Sequence, residues 1–287
     1  MKRIMAMKNV GPALKQVLNR MHDAVEKRPE SVCKAMPRLV AVSKTKPVDL
    51  IVEAYEHGQR HFGENYVQEL AKKAADPRIQ QLKDLKWHFI GHLQRNKCNN
   101  LTAIPNLYMV ETINSERLAQ SLNSSWGKVN SEPLNVMVEV NTSDEETKKG
   151  CRADDCITIV EYVIKNCPNL KFVGLMTIGQ YNYDWEQCGP NPDFICLIKY
   201  QEIVCKKFNL TKQQVELSMG MSSDFDKAIV MGSTNVRVGS TIFGEREPKL
   251  KQPAAEERPA IDVDPNTTAT EDLVTKASAN LDELSLT

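Results

Sequence analysis

Residues 39–58, Leu39-Val40-Ala41-Val42-Ser43-Lys44-Thr45-Lys46-Pro47 followed by Val48-Asp49-Leu50-Ile51-Val52-Glu53-Ala54-Tyr55-Glu56-His57-Gly58, set the reading of the whole chain. The first four residues form a short apolar run with no polar alternation, the pattern of a strand buried on both faces in a parallel sheet. Pro47 closes the run, residues 48–57 read as a helix, and Gly58 is placed to end it. One strand, one polar loop and one helix thus occupy about twenty residues.

Working outward, the same unit recurs. Strands are predicted near positions 39, 61, 88, 108, 136, 173, 216 and 237, with helical patterns between most of them. Val10, Leu14, Val17, Leu18, Met21 and Val25 fall at helical spacing and predict an amphipathic helix over 8–27 ahead of the first strand. Ser115 reads as an N-cap, and residues 193–208 as a long helix. Strands alternating with helices argue for a parallel sheet with helical crossovers. Eight units in about 210 residues match a single (β/α)8 barrel. An open doubly wound sheet is the competing architecture, and the lack of a glycine-rich dinucleotide turn after the first strand weighs against it. The expected fold class is therefore α/β, with the barrel and its N-terminal helix at 8–247. Residues 249–287 hold no aromatic residue and three prolines, and read as a disordered tail.

Composition narrows the function classes. The chain has 287 residues, 37 Lys+Arg against 37 Asp+Glu, 41% hydrophobic and 26% charged residues. A zero formal charge excludes a global basic field for nucleic acid. No run approaches the roughly 18 apolar residues of a membrane span. The N-terminus lacks the apolar core of a secretory signal, and eight scattered cysteines without a CxxC pair read as reduced thiols of an intracellular protein. The expected location is the cytoplasm. The mitochondrion is a second candidate, because no acidic residue precedes Asp23.

Barrel enzymes place their sites at the C-terminal ends of strands, and often bind phosphate in the loops after strands seven and eight. Here those loops are Ser218-Met219-Gly220-Met221-Ser222-Ser223 and Gly239-Ser240-Thr241, both small, hydroxyl-rich and glycine-containing. Glycine permits close backbone approach to an anion, and Ser222 and Ser240 can add hydroxyl donors. The plainer alternative is that Ser222 or Ser223 only caps the next helix. Lys44, at the end of a buried strand, sits where burial can lower an amine's pKa and free it for Schiff-base chemistry. Lys46 competes, but adjoins Pro47 and lies further into the loop. A surface lysine is the ordinary alternative for either. His88 and His92, four apart on a strand, do not close a helical metal site; Cys151 and Cys156 read as two thiols; Trp87 reads as core.

These features together resemble the pyridoxal-phosphate homeostasis proteins, also called the proline-synthase co-transcribed family, and their eukaryotic branch in particular. The resemblance rests on Val42-Ser43-Lys44-Thr45-Lys46-Pro47, His61-Phe62-Gly63-Glu64-Asn65-Tyr66-Val67-Gln68-Glu69, Trp87-His88-Phe89-Ile90-Gly91, Gly174-Leu175-Met176, Leu217-Ser218-Met219-Gly220-Met221-Ser222 and Val236-Arg237-Val238-Gly239-Ser240-Thr241. It implies a barrel like the N-terminal part of alanine racemase, with pyridoxal 5′-phosphate as cofactor. Lys44 would hold it as an internal aldimine. Ser222, Gly239 and Ser240 would bind the phosphate, helped by the backbone amides of Met221 and Thr241. Arg237 would face the pyridine nitrogen, and Asn65 and Met176 would line the cofactor. The segment Arg95-Asn96-Lys97-Cys98 departs from the family pattern.

Two functions compete: a binding protein for vitamin B6 homeostasis, handing cofactor to apo-enzymes, and an amino-acid racemase or decarboxylase. The resemblance implies that catalytic relatives close their site with a second β-domain and the opposite subunit, the second domain helping to place a tyrosine base. Only the low-hydrophobicity stretch follows this barrel, so the expectation is a non-catalytic protein. A scaffold keeping a relic site is the third option.

Overall fold

Eight apolar runs become eight parallel strands: β1 (Arg38–Val42), β2 (His61–Glu64), β3 (Lys86–Phe89), β4 (Leu107–Ile113), β5 (Leu134–Asn141), β6 (Leu170–Met176), β7 (Glu216–Ser218) and β8 (Asn235–Val238). The structure is a computed structural model and describes residues 10–143, 145, 149–180 and 183–245. Each strand pairs in parallel with its neighbour in sequence, and β8 returns to β1 with Leu39 opposite Val236 and Ala41 opposite Val238. The sheet therefore closes into a barrel, and the open-sheet alternative falls. A further two-residue strand, Cys151–Arg152, pairs with the end of β5 without joining the ring.

Period-two alternation divides the strand residues between two cores. Outward residues such as Trp87, Val136, Val138 and Leu175 belong to the main apolar core with the surrounding helices. Met109, Met137 and Met176 form a separate cluster from β4, β5 and β6 inside the barrel. The first helix, Val10–Glu26, buries Val10, Leu14, Val17, Met21 and Val25 against the helices Val48–Glu56, Phe225–Val230 and Ser240–Phe243. Each fully buried Leu or Val of this stripe contributes about 1.5–3 kcal/mol. Leu18, placed on that face by its spacing, is instead 40% exposed. The backbone N–H of Val10 donates to Glu53 Oε1 at 2.8 Å, which satisfies one orphan donor at the helix start.

The crossovers contain short helices that periodicity is too brief to reveal, Pro77–Gln80, Cys98–Thr102 and Trp185–Cys188, and Ser240–Phe243 is another after the last strand. Cys98 and Leu101 are buried, so the unusual 95–98 segment leads into a core-packed turn. Gly239-Ser240-Thr241, expected as loop, in fact opens a helical turn. Among the described residues no helix is long and apolar enough to cross a membrane. The tail predicted at 249–287 lies outside the described residues.

Candidate functional site

The C-terminal strand ends converge on a cleft of about 740 Å³. It is lined by Lys44 and Lys46 after β1, Asn65 after β2, Met176 at the end of β6, Met221 and Ser222 after β7, Arg237 of β8, and Gly239, Ser240 and Thr241 beyond it. All nine residues singled out in the sequence, together with Lys46, thus share one cleft. The charged side chains in its lining are Lys44, Lys46, Arg237 and one carboxylate, Glu245, so the lining favours an anion. Lys46 Nζ donates to the backbone carbonyl of Glu245 at 2.6 Å. Lys44 is half-buried at the mouth, one residue past the buried Ser43.

The loops after β7 and β8 are locked together. Gly220 has φ +94°, and a Cβ there would lie 2.6 Å from Ala228 Cβ, so only glycine fits the turn. Gly239 N–H donates to Ser222 Oγ at 3.1 Å, and Arg237 N–H donates to Gly220 O at 3.1 Å. Ser222 therefore bridges two strand ends and does not cap the following helix, whose N-cap position is Asp224. Its hydroxyl hydrogen can still donate to an anion. Met221 lines the cleft, and its N–H donates to Asp224 Oδ1 at 2.7 Å. The N–H groups of Ser240 and Thr241, in the first turn of their helix, have no intrahelical acceptor.

Asn65 is placed by a close backbone crossing: a Cβ on Gly91 would lie 2.0 Å from Asn65 O. Its Oδ1 is buried in the cleft wall without a partner among the described residues. A buried orphan acceptor beside a cationic cleft fits a ligand that carries both a donor and an anionic group.

Below the cleft runs a column of polar side chains that the sequence reading missed. Arg237, 4% exposed, donates from Nη2 to Thr177 O at 2.7 Å and from Nη1 to Ser218 Oγ. Ser218 Oγ donates to Glu111 Oε2 at 2.6 Å. Asn235 Nδ2 donates to Ser218 Oγ at 3.0 Å and to Glu111 Oε2 at 3.2 Å. His88 Nδ1 meets Glu111 Oε1 at 2.7 Å, and His61 Nδ1 meets His88 Nε2 at 2.8 Å. Burial alone would raise the Glu111 pKa, but the His88 hydrogen bond, the charge of Arg237 and Ser218 hold it below the usual carboxylate range. Burial pushes His88 down, and His61 to about 3, against the pull of Glu111. The protons follow: a carboxylate only accepts, so neutral His88 carries its hydrogen on Nδ1, and Nε2 accepts from His61. Arg237 is thus a buried cation whose counterion, Glu111, lies one serine away. A second buried carboxyl, Glu139, is pushed up to about 7 by burial, which the charges of Arg237 and Lys149 only partly offset.

The other sequence candidates separate. His92 is exposed while His88 lies in the column, so the pair shares no site. Cys151 and Cys156 are both buried free thiols, and Trp87 is wholly buried. A lone carboxylate inside an apolar strand, as in Met109-Val110-Glu111 and Val138-Glu139-Val140, was the signal available for the missed groups.

The fold and the cleft define an alanine-racemase-type barrel, and residues 18–247 match the family model for the alanine racemase N-terminal domain. The chain is 57% identical over 240 residues to the pyridoxal phosphate homeostasis protein of Homo sapiens, covering 83% of this chain and 87% of that one. It belongs to the pyridoxal phosphate homeostasis protein family. Among solved structures, PipY of Synechococcus elongatus with pyridoxal phosphate bound superposes with TM-score 0.65 at 28% identity, over 82% of this chain and all of PipY. An alanine racemase of Clostridium difficile shares the fold at TM-score 0.61 and 12% identity, with 85% of this chain and 58% of the racemase covered.

Proposed function

We propose that the cleft binds pyridoxal 5′-phosphate, that Lys44 holds it covalently, and that the protein stores and delivers the cofactor without turning over amino acids. The observation that carries this reading is the convergence of a half-buried lysine, two interlocked donor loops and a buried guanidinium on one cationic cleft. The bound form of PipY and the name shared by the relatives support the cofactor. The residues fit it by chemistry: Ser222, Ser240 and the first-turn amides would hold the phosphate, and Arg237 would face the ring nitrogen. Attachment joins Lys44 Nζ to the aldehyde carbon as a Schiff base with loss of one water. Bound cofactor would supply an electrophilic carbon that a free amine can attack.

The non-catalytic part rests on what surrounds that carbon. Among the described residues the cleft lining holds no Tyr, His or Cys; besides Lys44 its titratable side chains are Arg237, Lys46, whose amine donates to the Glu245 carbonyl, and Glu245. Racemisation needs an acid and a base on opposite faces, each contributing roughly 10²–10⁴-fold. Arg237 does not release a proton and cannot fill either role. A guanidinium at the ring nitrogen would not keep that nitrogen protonated as a carboxylate does, a feature that by itself does not exclude racemisation. Apo-enzymes that use the cofactor are the recipients in this reading, and the cytoplasm is where it operates. The test is incubation of the loaded protein with alanine or serine in deuterated water, alongside mixing with an apo pyridoxal enzyme. Negligible α-proton exchange with restored activity of the recipient is expected. Saturable exchange that vanishes in Lys44→Ala would overturn the reading in favour of a racemase.

A further inference from the structure

We propose that Lys73 and Glu69 are positioning residues for Lys44, fixing the peptide planes on both sides of it so that its amine is held toward the cofactor. This inference rests on the reading of Lys44 as the attachment point. Lys73 lies on the helix Val67–Ala74 and is 6% exposed, a position a lysine tolerates only when paired. An ammonium has three hydrogens, and here it has three acceptors: Ser43 O, Glu64 Oε1 and Glu69 Oε1, each at 2.7 Å. Ser43 Oγ donates to the same Glu64 oxygen at 2.6 Å, and Thr45 N–H donates to Glu69 Oε1 at 2.6 Å.

What matters is where these bonds fall along the chain. The Ser43 carbonyl belongs to the peptide unit before Lys44, and the Thr45 N–H to the peptide unit after it. Holding both planes fixes φ and ψ of Lys44, and with them the direction of its Cα–Cβ bond. Thr45 itself has φ +63°, a left-handed conformation that a β-branched residue seldom adopts. Such a conformation persists only where its surroundings enforce it, and the Glu69 carboxylate supplies that hold. Tying the helix to the barrel needs only the Lys73–Glu64 pair; the bond to Thr45 serves the loop that carries Lys44.

The test compares two ligands on the full chain. Pyridoxal 5′-phosphate forms the bond to Lys44, and attachment is followed by its absorbance change. Pyridoxine 5′-phosphate carries an alcohol in place of the aldehyde, and its binding is followed by thermal shift. Glu69→Ala removes the acceptor of Thr45 but leaves Lys73 with Ser43 and Glu64, and the side chain of Glu69 is 24% exposed, so folding is preserved. Glu69→Ala and Lys73→Met should slow attachment by about ten- to a hundredfold, as displaced reacting groups do, with pyridoxine 5′-phosphate affinity within about twofold of wild type. If Lys73→Met fails to fold, Glu69→Ala decides alone. A wild-type attachment rate in Glu69→Ala, or an equal loss of both ligands, would overturn the inference while the role of Lys44 stands. A wild-type protein that takes pyridoxine 5′-phosphate but never bonds pyridoxal phosphate at Lys44 would overturn both.

Discussion

Glu111→Gln is the sharpest perturbation of the buried column. Glu111 is wholly buried and accepts hydrogen bonds from His88, Ser218 and Asn235. A glutamine keeps one carbonyl oxygen for His88 but presents an amide NH₂ where the second carboxylate oxygen stood. Asn235 Nδ2, 3.2 Å from that oxygen, would then face a donor. The Ser218 hydroxyl loses its acceptor, and Arg237 loses its counterion. A hydrogen bond to a charged group contributes about 1.5–3 kcal/mol, and leaving one partner of a buried pair uncompensated costs about 3–5 kcal/mol. The expected loss is therefore about 3–5 kcal/mol. At about 2–4 °C per kcal/mol for a domain of this size, Tm should fall by about 6–20 °C. Urea unfolding of both proteins near neutral pH measures it, with the m-value checked for constancy. Combining Glu111→Gln with Arg237→Met should cost less than the sum of the single changes, because the two groups act as a pair. A loss under about 1 kcal/mol, or strict additivity, would refute the assignment of Glu111 as the counterion.

Other outcomes follow from the same structure. His61 is held neutral with its pKa near 3, so the stability it lends is complete above the ordinary imidazole value of about 6.5 and is lost as pH falls from there toward 3; His61→Asn should flatten that acid limb in urea titrations. Glu139 has the opposite sign, since its raised pKa of about 7 makes the folded state resist its ionisation; Glu139→Gln should therefore gain stability over wild type more at pH 8 than at pH 5. Ser240→Asp sets a carboxylate where the phosphate is expected and should abolish cofactor content in the purified protein; normal content would place the phosphate elsewhere.

The apolar runs made the fold legible, because strands of a barrel with helices outside it are buried on both faces and read as continuous hydrophobic stretches. Leu39–Val42 and Leu134–Val140 show this, each with a polar loop and a helix behind it. The cleft was legible too, since glycines and hydroxyls after two adjacent strands leave both the room and the donors that an anion needs. What each group does there was less legible. Ser222 could have been a helix cap; only the fold brings Gly239 N–H to its hydroxyl, 17 residues away. Glu111 finds Ser218 and Asn235 at separations of 107 and 124 residues, a distance across which no spacing rule operates. Lys73 stands four residues after Glu69, and nothing in that spacing marks it as buried. Its burial against Ser43 appears only once the helix packs on the barrel.

The proposed function turns on whether Lys44, and not its neighbour Lys46, carries pyridoxal phosphate. Both line the cleft, and Lys46 Nζ bonds the Glu245 carbonyl. Borohydride treatment of the loaded protein, followed by proteolysis and mass mapping, reads the attachment directly. A phosphopyridoxyl group on Lys44 and an unmodified Lys46 are expected. A label on Lys46 in the unmutated protein, or none in the segment 39–47, would contradict this.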